Sequence, residues 1–76
     1  MKYFLIEISK LSTKETFEKG IYEYNTPNEA IAQFHKKLGG AMSNETFEKE
    51  LVMVINEIGG VLKTEHYEKE ASEAIN

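Results

Sequence analysis

Four residue types are missing from this chain of 76 residues: cysteine, tryptophan, arginine and aspartate. Without cysteine there is no disulfide and no thiolate metal site to reinforce the fold. A single domain of this length sits near the lower end of what one apolar core holds together, so oligomerisation or docking on a partner is a ready source of further stability. Without arginine the chain lacks the bidentate fork that recognises phosphate, carboxylate and guanine. All nine cations are lysine and all 13 acids are glutamate, for a net charge of −4. An acidic chain without arginine argues against a nucleic-acid partner, because phosphate neutralisation dominates that affinity. Enrichment in Lys, Ile, Glu and Asn suits the codon usage of an AT-rich genome, and the chemical exclusion holds whatever its origin.

Long hydrophobic runs are missing too. No stretch approaches the roughly 18–20 apolar residues that span a bilayer, so no membrane partner is expected. The opening Met1–Ile8 stretch has an export-signal flavour, but Glu7 interrupts it and no small-residue cleavage site follows. A strand is the better reading, and the expected setting is the cytoplasm. What is present, 41% hydrophobic and 29% charged residues, is the balance of an ordinary globular domain.

Residues 2–10 read as a first strand, with Phe4, Ile6 and Ile8 on one side and Tyr3 and Leu5 on the other. Residues 16–24 read as a second, and the polar link between them implies an antiparallel hairpin. Gly20 within it suggests a bulge. Thr26-Pro27-Asn28-Glu29 is a capping box with proline at the first helical position. Ala30, Ile31, Phe34, Leu38 and Ala41/Met42 then recur at spacings of three and four, predicting an amphipathic helix to about Ser43, through Gly39 and Gly40. The unbroken run Leu51–Ile55 predicts a buried central strand over residues 50–56. A turn with glycine in the left-handed position follows, and then a polar edge strand over 61–68 blunted by Lys63 and Glu65. The fold class is α+β: a two-layer sandwich in which a four-stranded, mainly antiparallel sheet carries one helix, in the order β-β-α-β-β. Residues 1–68 form the single domain. Residues 69–76 have nothing to pack them and are expected to fray.

The chemistry-bearing residues do not assemble into a motif. His35 and His66 lack any metal-ligand spacing and are expected to be surface or boundary histidines, with no metal and no cofactor. No cysteine or aspartate is available for a catalytic arrangement. Serine or threonine with histidine lacks any linking pattern, and a deep pocket is a large demand on so short a chain, so no enzyme and no catalytic residues are expected. Gly39-Gly40 and Gly59-Gly60 have turn duties and make no phosphate loop. The pentapeptide ETFEK occurs at 15–19 and again at 45–49, each time leading into a strand. The units around the two copies differ, so the match reads as coincidence or a shared lead-in, with Phe17 and Phe47 as alternative rim anchors.

One surface is left over. A single helix covers one sheet face, and Tyr3, Leu5, Tyr22, Tyr24 and Tyr67, with one side of the 51–55 run, are expected to form an interaction surface on the other. The segments IYEYNTPNEAIAQFHKKLGGAM (21–42) and ELVMVINEIGG (50–60) resemble short proteins encoded in phages and prophages of Gram-positive bacteria. The resemblance covers most of residues 1–67 and is a pattern of packing residues. It implies a ββαββ accessory protein of a mobile element, and no functional residue is carried over with it. The expected function is non-enzymatic contact with a protein partner, either a homodimer or a host or phage protein. The alternative is a small-ligand or nucleotide binder whose site forms between protomers.

Overall fold

A computed structural model describes residues 1–69 of the chain. Strand β1 (Tyr3–Leu11) and strand β2 (Glu18–Tyr24) form a hairpin, helix α1 (Pro27–Met42) follows, and β3 (Phe47–Asn56) and β4 (Val61–Glu68) form a second hairpin. All three strand pairings are antiparallel and the order across the sheet is β2-β1-β3-β4. The two hairpins meet along β1 and β3, which makes these the central strands and leaves β2 and β4 at the edges. This is the expected α+β sandwich.

The helix begins where local chemistry asks it to. Thr26 is the N-cap, its hydroxyl oxygen accepting from the Glu29 backbone N–H at 3.2 Å, and Pro27 occupies the first turn. Both satisfy or dispense with backbone donors that the first turn leaves orphaned. Gly39 and Gly40 do not end the helix. Ser43 does, its hydroxyl donating to the Gly39 and Gly40 carbonyls at 3.0 and 3.2 Å. The inward stripe is Ala30, Phe34 and Ala41, with Leu38 partly buried, while Met42 points away and is 57% exposed. Against this stripe lie Leu5, Val52 and Val54, all fully buried.

Three local expectations need adjustment. Strand β3 starts at Phe47 rather than near residue 50, because its ladder to β1 continues through a bulge: Lys10 pairs with Lys49 and Leu11 with Phe47. Glu48, the extra residue, takes the Lys10 ammonium at 2.8 Å. The pairing of β1 with β2 runs unbroken past Gly20, so that glycine marks no bulge. It makes room instead for Tyr22, since a Cβ at position 20 would stand 2.7 Å from the tyrosine oxygen. The β3–β4 turn is as expected, with Gly59 at φ +91° and a register shift immediately after it. Asn56 braces this turn, its side-chain oxygen accepting from the N–H groups of Ile58 and Gly60 at 3.1 and 2.8 Å. Of the tail expected to fray, Lys69 extends the ladder through its N–H to the Glu48 carbonyl at 2.9 Å. Residues 70–76 lie outside the described part.

Candidate functional site: the uncovered sheet face

Side chains alternate across a strand, so the pairing register assigns each residue to a face. Leu5 pairs with Tyr22 on one side and Val54 on the other, and Glu7 pairs with Gly20 and Val52. Tyr3 and Tyr24 pair with each other and pack against the helix-side core. Tyr67 pairs with Glu50. All five residues expected on a docking surface therefore lie on the helix side. Leu5 is core, Tyr3 and Tyr24 flank it, Tyr67 lines the margin, and only Tyr22 is substantially exposed, at 40%. The Lys37 ammonium sits 4.6 Å from the centre of the Tyr22 ring.

The uncovered face has a different membership. Its rows, read across β2, β1, β3 and β4, are Glu23–Phe4–Ile55–Val61, then Ile21–Ile6–Met53–Thr64, then Lys19–Ile8–Leu51–His66. Eight of these twelve positions are apolar and they are contiguous. Phe4, Ile6, Ile8, Leu51, Met53 and Ile55 are half-buried by one another, while Ile21 is 69% and Val61 57% exposed. A hollow of about 310 Å³ opens between Ile8, Phe17, Leu51 and His66. A final row, Lys10–Lys49–Glu68, closes the patch with charge. No other element among the described residues lies over this face.

The covered face holds the polar surprise. Glu50 is 1% exposed, and neither of its carboxylate oxygens has a hydrogen-bond partner at bonding geometry. Burial pushes its carboxyl up to about 8; the neighbouring Glu7 carboxylate pushes the same way, and Lys37 only partly opposes them. At neutral pH Glu50 is thus chiefly the uncharged acid, which removes most of the cost of burying it. Glu7 keeps its charge company with the Lys37 ammonium at 3.3 Å. Burial opposes the charge on Lys37, but Glu7 outweighs it and raises the lysine pKa. Ser9, also buried, pairs with Glu50 across β1 and β3. The result is a small polar nucleus under the helix, with Glu50 and Ser9 buried and the Glu7–Lys37 pair at its partly exposed edge.

A larger hollow, about 660 Å³, is an open groove between the far half of α1 and β4, bordered by Phe34, Leu38, Met42, Lys63 and Tyr67. His35 stands edge-on to Phe34 with ring centres 5.2 Å apart. His66 is on the opposite side of the sheet, so the two histidines do not converge. Among the described residues no group of three or more metal-ligating side chains is placed to hold an ion.

Sequence reasoning found the existence of an open face and one side of the 51–55 run on it, but put the wrong residues of β1, β2 and β4 there. Both faces of β1 begin with large apolar residues, so alternation alone could not say which one the helix takes. A signal was present further along: Glu7, Ser9 and Glu50 dilute one face, whereas Phe4, Ile6, Ile8, Leu51, Met53 and Ile55 form an undiluted set. The undiluted set invites assignment to the core, and here it is the outer surface. Comparison of the chain with protein-family models, with curated proteins and with solved structures finds no match, so its function is argued from this geometry.

Proposed function

We propose that the protein is a non-enzymatic docking module that works by burying its open sheet face against another protein surface. The observation that carries this is the inversion of the usual pattern. An antiparallel sheet with one covered side ordinarily shows hydrophobic residues inward and polar residues outward. Here the outward side is the more uniformly apolar one across the central strands, and the inward side holds the buried acid Glu50 and its neighbour Glu7. Isolated apolar side chains on a surface need no explanation, but a contiguous patch of eight marks an interaction site. A cytoplasmic setting and an origin in a phage or prophage belong to the same reading, and both go with the resemblance of residues 21–42 and 50–60.

The test is a mass measurement across a concentration series, run beside a thermal-shift screen of nucleotides and small metabolites. Association that is abolished by Ile21→Glu, with melting indifferent to ligands, supports the docking module. A monomer stabilised by a nucleotide overturns it in favour of a small-ligand binder.

A further inference from the structure

We propose that the open face is covered by the same face of a second copy, the two related by a two-fold axis that runs across the strands along the Ile21–Ile6–Met53–Thr64 row. This rests on the docking reading above and names its partner.

The argument comes from the charges that frame the patch. Both ends of its β2 margin are ionic, with Glu23 in the first row and Lys19 in the third, on either side of Ile21. Two sheets stacked face to face can be related by a two-fold axis across the strands or along them. The axis across the strands exchanges the first and third rows while keeping each strand over its own copy. Glu23 then meets Lys19 of the partner subunit, and the contact occurs twice. In the middle row Ile21, Ile6 and Met53 meet their own copies, Phe4 lies over the partner's Ile8, and Ile55 over the partner's Leu51.

The axis along the strands does the reverse. It sets Lys19 against the partner's His66, Ile21 against the partner's Thr64, and Lys10 against the partner's Lys49. Like charges and apolar–polar mismatches then replace the complementary pairs, and like charges placed opposite one another across an interface cost several kcal/mol. The first arrangement also lays Val61 over the partner's His66, but it alone sets opposite charges against each other at the patch margin, and a self-complementary patch closes at two subunits. Packed sheets cross at about 30°, which moves the corner residues by a few Å and leaves Lys19 and Glu23 within reach of each other.

Size is consistent with a pair. Four strands about 4.8 Å apart and seven residues at about 3.4 Å give a footprint of roughly 20 × 20 Å on each copy. Side-chain relief enlarges this, and two such faces bury on the order of 1,000 Å², the lower end of specific interfaces. The dimer is therefore expected to exchange with monomer at micromolar concentrations. Burying this face also answers the thin stability margin of so short a chain.

The experiment uses sedimentation equilibrium on the full chain and three surface variants. Glu23→Lys and Lys19→Glu each create two like-charge contacts, and each is expected to weaken the dimer by about tenfold or more. The double variant restores both pairs with reversed polarity and is expected to recover most of the loss. Both side chains are at the exposed margin, so circular dichroism of each variant should match the parent. As a second measurement, Ile21→Cys supplies the only thiol in the chain, on the row that the axis follows. A short bis-maleimide should link two copies through it, and should not link copies of Ile58→Cys, which lies off the face. A parent that stays monomeric at high concentration overturns the self-association and leaves docking on another protein standing. A dimer lost in Ile21→Glu but indifferent to the charge exchanges overturns the two-fold geometry alone. A dimer indifferent to every substitution on this face overturns both the inference and the docking module.

Discussion

The two sides of the sheet divide their labour against expectation. Under the helix, Leu5, Val52, Val54, Ala30 and Phe34 are at most 2% exposed, yet Glu50, Glu7 and Ser9 share that side with them. On the open side Phe4, Ile6, Ile8, Leu51, Met53 and Ile55 run without a polar interruption and remain only half-buried. Composition therefore does not rank the two faces by depth. What ranks them is cover: the inner face lies under α1, and among the described residues no element lies over the outer face.

The largest expected effect tests whether the inner side alone holds the fold. Phe34 is the largest buried side chain on the helix, and Phe34→Ala removes its ring from contact with Leu5, Val52 and Val54. Truncations of this kind cost about 3–5 kcal/mol, most or all of the margin of so small a domain. Denaturant unfolding should show the variant largely unfolded. Ile21→Glu, on the other side, should leave the midpoint of dilute protein within about 0.5 kcal/mol, while removing association. If the two substitutions destabilise dilute protein equally, the outer face belongs to the monomer core and the contrast between the faces is lost.

The second test exploits the acid under the helix. An unfolded glutamate titrates near 4.5, and folded Glu50 is pushed up to about 8. Between these values the folded chain keeps a proton that the unfolded chain has released. The stability attached to this group is therefore full below about pH 4.5 and is lost as the pH rises toward 8. The slope is at most about 1.4 kcal/mol per pH unit. Burial sets the direction, Glu7 from β1 adds to it and Lys37 from α1 opposes it; Tyr67 from β4 stands opposite Glu50 on the same side, with Tyr3, Tyr22, Tyr24, Lys63 and Glu65 further along that face. Glu50→Gln keeps the shape and cannot ionise, so its stability should lie flat across that window and exceed the parent's at pH 9. Parallel curves for the two proteins would mean that Glu50 is not held as an acid in the folded state.

Much of the architecture could be read from local chemistry, and the reasons are specific. The bounds of β4 at Val61 and Glu68, the start of α1 at Pro27 and the glycine turn at Gly59 each follow from a short-range rule satisfied within five residues. The entry to β3 at Phe47 was not readable, because the bulge that admits it depends on Lys10 reaching Glu48 from another strand. Nor was the task of Gly20 readable: its missing side chain makes way for a ring two residues along, held by a lysine from the helix. The covered parity of β1 was hidden for the same reason, since the helix chooses a face through long-range packing. Glu50 carried no local mark at all. Its burial follows from sitting on a central strand, beneath the far turns of α1 and between Ser9 and Tyr67.

A third and smaller effect concerns how the helix is anchored to the inner side. Thr26 supplies the one side-chain acceptor recorded at the helix start, and Thr26→Ala should lower stability by about 1 kcal/mol. Thr26→Ser should recover nearly all of it, because serine presents the same oxygen. The cap is remote from the open face, so the association constant should not change once the population of folded protein is accounted for. A cap variant that also loses association would tie the two faces together through the helix, contrary to the division argued above.

The smallest effect is a gain. Gly39 and Gly40 lie inside α1, and a Cβ at either position would meet nothing within 4 Å. Glycine in a helix interior is disfavoured by about 0.5–1 kcal/mol relative to alanine, through the backbone freedom it surrenders on folding. The carbonyls that receive the Ser43 hydroxyl are backbone groups and survive the change. Gly39→Ala should therefore raise the unfolding midpoint by an amount in that range, with Gly40→Ala similar. Since neither glycine touches the sheet, the gain should be the same in dilute and in associated protein, and should add to the gain from Glu50→Gln at high pH. A gain in dilute protein accompanied by a loss of association at both positions would show that a surface seats itself against that bare turn of helix. The inner side would then have a docking role of its own, and the open face would no longer be the one place where this chain meets another.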